Sequence, residues 1–499
     1  MKLFERASAK VRGRKGRAVG LAMIAGLLLP MGSVAAGVFS AAPASASVTN
    51  YASGGSTYHA LQPYRVVDTR PNSGQFGQGD TLTAGRTITF QASPSGISDS
   101  HGVPQNGVPH GATAVVVNIT AVNPSSTGYL TAFAAGQTVP YISTVNFIAG
   151  ETVANEATIA LGDLGDANYG NLTIYNFTGS TDVVVDVQGY YAPRHFDFSS
   201  FVDPGGHGAG YNPITDVITN TIHPVRVLDT RPGSGQQGAG ETIGPQQTLN
   251  FYPGTATFPD HFTAIPADAT AVVLNVTAAT STADSWLTVW ASGGAQPLAS
   301  NLNFPAGKIV PNRVIVPIDP TTKQVSIYNA FGNTDVVVDL DGYYSHETGS
   351  AYYPLVTPAR IVDTRPGSGA PYSGQTLGTG TILTTNVPAD FFPPATGFSA
   401  PGGEFNPGGF FTGFDVNTTI TDTTGAGGYL TQYPSNAGST PPLASDLNWS
   451  PGDIVSNANQ LSSGGTPDIA IDNFNFTGNA DLVIDLYGYF GAQEQVLVG

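Results

Sequence analysis

Cysteine is absent from all 499 residues, which excludes disulfides and thiolate-bound metals as sources of stability. Methionine occurs three times, as Met1, Met23 and Met31. Everything beyond residue 31 therefore lacks oxidisable sulfur, a composition suited to an exposed extracellular site. Lysine is nearly missing: past residue 15 only Lys308 and Lys323 remain. Charged residues make up just 11% of the chain, and the few charges are mostly acidic.

Long apolar runs are scarce as well. One, Ala18 to Phe39, follows a basic stretch holding Lys2, Arg6, Lys10, Arg12, Arg14, Lys15 and Arg17. It precedes Ala44-Ser45-Ala46, a small-x-small site. That order is the plan of a secretory signal peptide over 1–46, cleaved before Ser47. Gly26, Pro30, Gly32 and Gly37 break the run short of a spanning helix. A mature chain without a membrane span is expected, secreted and extracellular or cell-wall associated. The leader takes seven of the 18 Lys and Arg and one of the 35 Asp and Glu, leaving a net charge of −23. Nucleic acid is thus excluded as a partner, since phosphate binding needs a basic surface.

What the chain has in abundance is itself. Arg65-Val-Val-Asp-Thr-Arg-Pro71 returns as Arg226-Val-Leu-Asp-Thr-Arg-Pro232 and as Arg360-Ile-Val-Asp-Thr-Arg-Pro366. Each opening phrase is answered by a closing one: Asp182-Val-Val-Val-Asp-Val-Gln-Gly-Tyr-Tyr191, Asp335-Val-Val-Val-Asp-Leu-Asp-Gly-Tyr-Tyr344 and Asp481-Leu-Val-Ile-Asp-Leu-Tyr-Gly-Tyr-Phe490. The period is domain-sized. It divides the chain into a lead-in (47–57), a first domain (58–193), a linker (194–221), a second domain (222–346), a third domain (352–492) and a tail (493–499). The short second junction predicts a more fixed angle there than across 194–221.

Inside each domain short runs of Val, Ile, Thr, Tyr and Phe alternate with Gly, Pro, Asn and Ser. No 3.6-residue apolar period appears outside the leader. The expected fold class is all-β: three tandem β-sandwich or barrel-like domains of related fold. Further phrases recur in order, as Gly128-Tyr-Leu-Thr131, Ser285-Trp-Leu-Thr288 and Gly428-Tyr-Leu-Thr431, then Val145-Asn-Phe147, Leu302-Asn-Phe304 and Leu447-Asn-Trp449. A further asparagine follows at 155, 312 and 457.

This ordered set, R-x-x-D-T-R, G-Y-L-T, L-N-F, Y-N and D-V-V-V-D-x-x-G-Y-Y/F, resembles a repeat module of secreted actinobacterial cell-surface proteins. The resemblance covers nearly all of the chain beyond the leader. It implies an exported, envelope-associated protein and no known chemistry.

Six of the nine arginines beyond the leader lie in the opening phrases. Structurally, Arg65, Arg70, Arg226, Arg231, Arg360 and Arg365 brace the framework. They would pair with the nearby Asp68, Asp229 and Asp363 or with the inner closing aspartates Asp186, Asp339 and Asp485. Functionally, they form an anion site for an envelope polymer. The framework reading is preferred, because every arginine has an aspartate of its own phrase close by.

Asp182 and Asp186, four residues apart on a strand, stand about 13 Å apart, too far for a glycosidase acid/base pair. They read as the polar face of a half-buried strand. Asn118, Asn275 and Asn417 read as core asparagines bonding backbone. Asp163-Leu-Gly-Asp-Ala-Asn168 only hints at calcium, lacking the usual ligand spacing. No other cofactor is expected. Two sets of recurring aromatics, Tyr129, Trp286 and Tyr429, and Phe147, Phe304 and Trp449, are candidates for stacking on sugars or for filling cores.

Three similar copies argue against an enzyme, which needs one asymmetric constellation. The expected function is a non-catalytic, envelope-associated protein with a structural or adhesive role through multivalent weak contacts to an envelope polymer or surface protein. The alternative is an array of carbohydrate-binding modules, with a secreted hydrolase third.

Overall fold

A computed structural model describes residues 55–92, 107–109, 111–162, 166–193, 209–213, 224–254, 265–346, 348–387, 411–425, 427–435, 441–442, 444–463 and 470–491. The leader, residues 47–54 of the lead-in, Asp163–Gly165 of the calcium-like loop, most of 194–221, the Gly/Pro/Phe-rich stretch before Phe411 and the tail from 492 lie outside them.

The first copy folds into nine strands. They are β1 (Ser56–Asp68), β2 (Leu82–Thr83), β3 (Thr87–Gln91), β4 (Ala114–Val122), β5 (Gly128–Ala134), β6 (Val145–Phe147), β7 (Val153–Ala160), β8 (Asn171–Asn176) and β9 (Ser180–Pro193). One sheet runs β1-β9-β4-β7, and the other runs β3-β8-β5-β6. Both are antiparallel. Two four-stranded sheets in this interleaved order are a jelly roll. Its core is the inward alternate residues, among them Val115, Val117, Ile119, Leu130, Phe147, Ile174, Val183, Val185 and Val187.

The second copy supplies β10 (Gly210–Pro213), β11 (Val225–Asp229), β12 (Gln247–Phe251), β13 (Ala269–Ala279), β14 (Ser285–Ala291), β15 (Leu302–Phe304), β16 (Val310–Pro317), β17 (Val325–Asn329) and β18 (Asp335–Ser345). The third supplies β19 (Ala351–Asp363), β20 (Thr381–Asn386), β21 (Phe411–Thr421), β22 (Gly428–Pro434), β23 (Leu447–Trp449), β24 (Val455–Ser462), β25 (Ala470–Asn475) and β26 (Asp481–Gly491). The same order recurs, as β18-β13-β16 with β12-β17-β14-β15 and as β19-β26-β21-β24 with β20-β25-β22-β23. In every copy the opening phrase pairs with the closing phrase: Arg65 opposite Asp186, Arg226 opposite Asp339, Arg360 opposite Asp485. Strand β10 falls within 194–221 and pairs with β18, so that segment contributes a strand to the second lobe.

The three lobes share one compact unit. The sequence says why. Ala114-Val-Val-Val-Asn-Ile-Thr120 is buried at every position. A strand lining one core while its other face meets solvent would alternate; this one is covered on both faces. Val115, Val117 and Ile119 fill the first lobe's core, whereas Ala114 and Val116 belong to a separate cluster shared by all three lobes. Tyr58, Tyr191, Tyr344, Tyr352 and Phe490 complete that central cluster. The closing glycines make room for it. A Cβ on Gly189 would meet the Tyr58 ring and hydroxyl at 2.4–2.6 Å, and one on Gly488 would meet Tyr352 at 2.4–2.7 Å.

Polar contacts around this centre run in one rotational sense. Asn155 of lobe 1 donates to Asn417 of lobe 3 at 2.7 Å, Asn312 of lobe 2 to Asn118 of lobe 1 at 3.0 Å, and Asn457 of lobe 3 to Asn275 of lobe 2 at 2.9 Å. The receiving asparagines in turn donate to the backbone oxygens of Ser143, Ser300 and Ser445 in the neighbouring lobe. These asparagines do bond backbone, but across lobe seams rather than within their own sandwich. The seams hold all three lobes alike, so the length of a connecting segment does not decide how firmly two lobes are held.

One set of central residues breaks the repetition. The position after the donating asparagine is Glu156, Arg313 and Ala458 in turn. Arg313, fully buried, donates to Glu156 at 2.7 Å and pairs with Asp415. Asp415 also accepts from the Tyr352 hydroxyl at 3.1 Å, and Glu156 accepts from the Ile315 N–H at 3.0 Å. One guanidinium thus faces two carboxylates. Burial pushes the Glu156 carboxyl up to about 7, although Arg313 and the Ile315 N–H favour its charged form.

Two outcomes are expected. The whole chain beyond the leader should unfold in one cooperative transition, and the second lobe alone (residues 209–346) should not reach a stable monomeric fold, because its seams would be stripped. Calorimetry of both proteins checks this. Glu156 binds its proton more tightly when folded than when unfolded, so its contribution to stability is present at pH 4.5 and lost as pH rises through 7. The loss is about 3 kcal/mol for a shift of this size. Glu156→Gln should therefore flatten the fall in denaturant midpoint between pH 5 and 8; an unchanged slope would refute the assignment.

Candidate functional site

Each opening phrase is consumed by a short ladder of charge. Arg65 makes a bidentate pair with Asp186, at 2.8 and 2.9 Å, and reaches Asp68 at 3.3 Å. Arg70 makes a second bidentate pair with Asp68, at 2.8 and 2.6 Å. Thr69 donates to Asp182 at 3.2 Å and accepts from the Val183 N–H at 2.8 Å. Lobe 2 repeats this with Arg226 on Asp339 and Arg231 on Asp229; lobe 3 repeats it with Arg360 on Asp485 and Arg365 on Asp363. Every residue of D-T-R therefore has a named partner, and the two phrases recur together because each completes the other.

The inner aspartates do more than hold an arginine. Asp485 accepts the Ser143 N–H of lobe 1 at 3.0 Å, and Asp339 accepts the Ser445 N–H of lobe 3 at 3.2 Å. Asp186 is bonded likewise by the Ser300 N–H of lobe 2. The polar face of the closing strand is thus buried under the next lobe. Burial pushes the Asp186 carboxyl up despite its arginine. Burial also acts on Asp68, but there the bonds from Arg70 and the charge of Arg65 outweigh it and hold the carboxyl low.

Beside this ladder lies a groove of about 730 Å³ between lobes 1 and 2. Arg65 and Arg70 form one wall; Trp286, Phe331, Leu298 and Tyr328 of lobe 2 form the other. Trp286 meets Phe331 edge-on, with ring centres 5.2 Å apart and planes at 88°. Leu298 and Phe331 are 87% and 50% exposed, unusual for large apolar side chains on a chain with so tight a core.

The same elements face each other at the other seams. Arg360 of lobe 3 sits over the Tyr141 ring of lobe 1 at 4.8 Å, in cation–π contact. Its neighbour Tyr129 stacks on Phe177 at 4.5 Å, and burial raises the Tyr129 hydroxyl to about 12. Between lobes 2 and 3, Arg226 is electrostatically coupled to Tyr429, which stacks on Phe476 at 4.7 Å.

Of the two candidate aromatic sets, Tyr129, Trp286 and Tyr429 are half-buried beside exposed rings. Phe147, Phe304 and Trp449 are core: they point into the three jelly rolls with at most 5% exposure. Short strands β6, β15 and β23 pack both flanking residues of x-Asn-x inward, so a sugar cannot reach them. Sequence reasoning missed Phe177, Phe331 and Phe476. The available signal was a phenylalanine one or two residues after an asparagine (Asn176, Asn329, Asn475) and just ahead of a turn glycine (Gly179, Gly332, Gly478). In the calcium-like loop, Asp166 accepts the Asn168 N–H at 2.8 Å, an ordinary turn contact. Among the described residues no three acidic or histidine side chains gather as a metal site.

No family model matches this chain, and no curated protein matches it. Among solved structures it is similar to one described as the triple jelly roll fold and turret assembly in an archaeal virus, with 8% identity over 88% of this chain and 91% of that one, at a TM-score of 0.17. A structure of Sulfolobus turreted icosahedral virus gives 8%, 87%, 91% and 0.15. The plant receptor-like kinase ANX1 gives 10%, 56%, 90% and 0.14. The jelly-roll assignment rests on the strand order.

The two arginines of a ladder should differ sharply on removal. Arg65→Ala strands Asp186 at a seam and should cost about 3–5 kcal/mol. Arg70 has a side chain 45% exposed, and Asp68 keeps Arg65 when it is gone. Arg70→Ala should cost about 1 kcal/mol or less. Chemical denaturation of the two variants measures the difference; equal losses would contradict the pairing.

Proposed function

We propose that this chain is a secreted, non-catalytic scaffold of the cell envelope that grips a repetitive partner through three related weak contacts. The carrying observation is the recurrence, at each lobe seam, of an arginine ladder facing aromatic rings. Catalysis is served by one asymmetric constellation, whereas adhesion gains from copies. Weak sites held in one body act at high mutual effective concentration and raise overall binding by about 10²–10⁴ without a new contact. The charged groups of the ladders are bonded to one another and brace the grooves rather than react. The basic, apolar and small-residue order of 1–46 supports export, and the sulfur-free remainder suits an exposed site.

The test removes one exposed ring per groove. Phe177→Ser, Phe331→Ser and Phe476→Ser are made singly and together, and each protein is titrated against a washed cell-envelope preparation. Single variants should lose roughly tenfold in affinity and the triple variant should release the envelope, as multivalency requires. Full binding by a folded triple variant would exclude the grooves.

A further inference from the structure

Resting on the reading of the grooves as binding sites, we propose that the groove between lobes 1 and 2 takes an uncharged, hydroxyl-rich pyranose polymer, stacked on Trp286 and Phe331. The first argument is charge. Among the described residues the cationic side chains lining the groove are Arg65 and Arg70, and both are matched by Asp68 and Asp186. Glu151 and Asp284 add carboxylates to the same lining. A polyanion would meet two acids and no spare cation, so an acidic glycan is disfavoured.

The second argument is hydrogen bonding. A guanidinium has five N–H donors. Asp68 takes Nε and one Nη2 donor of the Arg70 side chain, which is 45% exposed, so donors remain for hydroxyl oxygens. Asp284, which accepts the Ala306 N–H at 2.8 Å with one oxygen, offers a second oxygen as acceptor. Spare donors beside a spare acceptor suit hydroxyls, each of which is both.

The third argument is the platform. In lobes 1 and 3 the exposed phenylalanine stacks nearly parallel on its tyrosine, at 12° and 14°, so each ring covers the other's face. In lobe 2 the phenylalanine stands one place later: Asn329-Ala330-Phe331-Gly332 against Asn176-Phe177-Thr178-Gly179. The 88° crossing sets the edge of one ring against the other rather than stacking the two face to face, and Phe331 is half-exposed. The apolar C–H face of a pyranose lies on a ring face, while its equatorial hydroxyls reach the polar wall. This groove should be the strongest of the three.

The full chain without its leader is run in native gels containing a neutral pyranose polymer (glucan, galactopyranan or mannan) or acidic polygalacturonate, at 0.05 and 0.5 M salt. The expected result is retardation by at least one neutral polymer, unchanged by salt, and weakened about tenfold by Trp286→Ala and by Phe331→Ser with melting unaltered. Phe331 is half-exposed, so its variant keeps the test valid if Trp286→Ala unfolds. Retardation only by polygalacturonate, fading with salt, overturns the ligand class and leaves the adhesive reading standing. Envelope binding without retardation by any glycan also overturns it and points to a protein partner. Loss of both bindings sinks both readings.

Discussion

A carboxylate taken out of water must be fully paired, and in this chain that requirement is met across lobe boundaries. Asp186, Asp339 and Asp485 each bond an arginine of their own opening strand and a serine N–H of the next lobe. Neither half suffices alone, because an arginine leaves part of the carboxylate's accepting capacity unused and a single N–H leaves its charge. The lobe's internal clamp and the contact between lobes are thus one interaction. The groove follows from it. The arginine that reaches inward to the aspartate brings Arg70 alongside it at the seam, where the aromatic side of the next lobe is already docked.

Three near-identical seams closing on themselves amount to a ring of threefold pseudo-symmetry built head to tail. Fusion into one chain lets the centre be unequal. Glu156, Arg313, Ala458 and Asp415 sit in related surroundings yet differ in charge, which three identical subunits could not do. A buried guanidinium between two carboxylates is poor value as stability, since one acid stays under-neutralised. It distinguishes the lobes: an arrangement that exchanged two of them would bury Arg313 away from its acids or leave the acids without it. Order among otherwise interchangeable lobes is what the unequal centre specifies.

Much of the lobe fold was legible, and for local reasons. The alternation in Thr87-Ile-Thr-Phe-Gln91 is exposed-buried throughout. The co-occurrence of R-x-x-D-T-R with D-V-V-V-D put two strands side by side, and they pair. The seams were not legible, because the partners of Asn155 and Ser143 lie 262 and 342 residues away and nothing local marks them. A polar residue buried against another lobe and one facing water give the same strand pattern. Asp186 was therefore read as the polar face of a half-buried strand, paired with an arginine of its own lobe, and the neighbouring lobe that buries it completely was not foreseen. The one clue was the unbroken burial-grade run Ala114-Val-Val-Val117, too apolar for a strand with a free face. The sugar-stacking candidates divided for a similar reason. Recurrence marks a residue as constrained without saying by what, and for Phe147, Phe304 and Trp449 the constraint was core volume.

Closure also decides where contacts with other molecules can form. In a head-to-tail ring each lobe spends one surface as donor and another as acceptor, and none is left over to extend the series. The sheet edges nearest the centre are likewise joined: Ser56 pairs with Tyr352, and Tyr58 exchanges both of its backbone bonds with Ala209 at 2.9 Å. Edge-to-edge growth at that end is blocked. What the seams leave open between lobes 1 and 2 is the groove of about 730 Å³ beside the ladder, lined by Phe331 and Leu298. Phe331 and Leu298 stay exposed there, at 50% and 87%, while Tyr58, Tyr191, Tyr344, Tyr352 and Phe490 fill the middle.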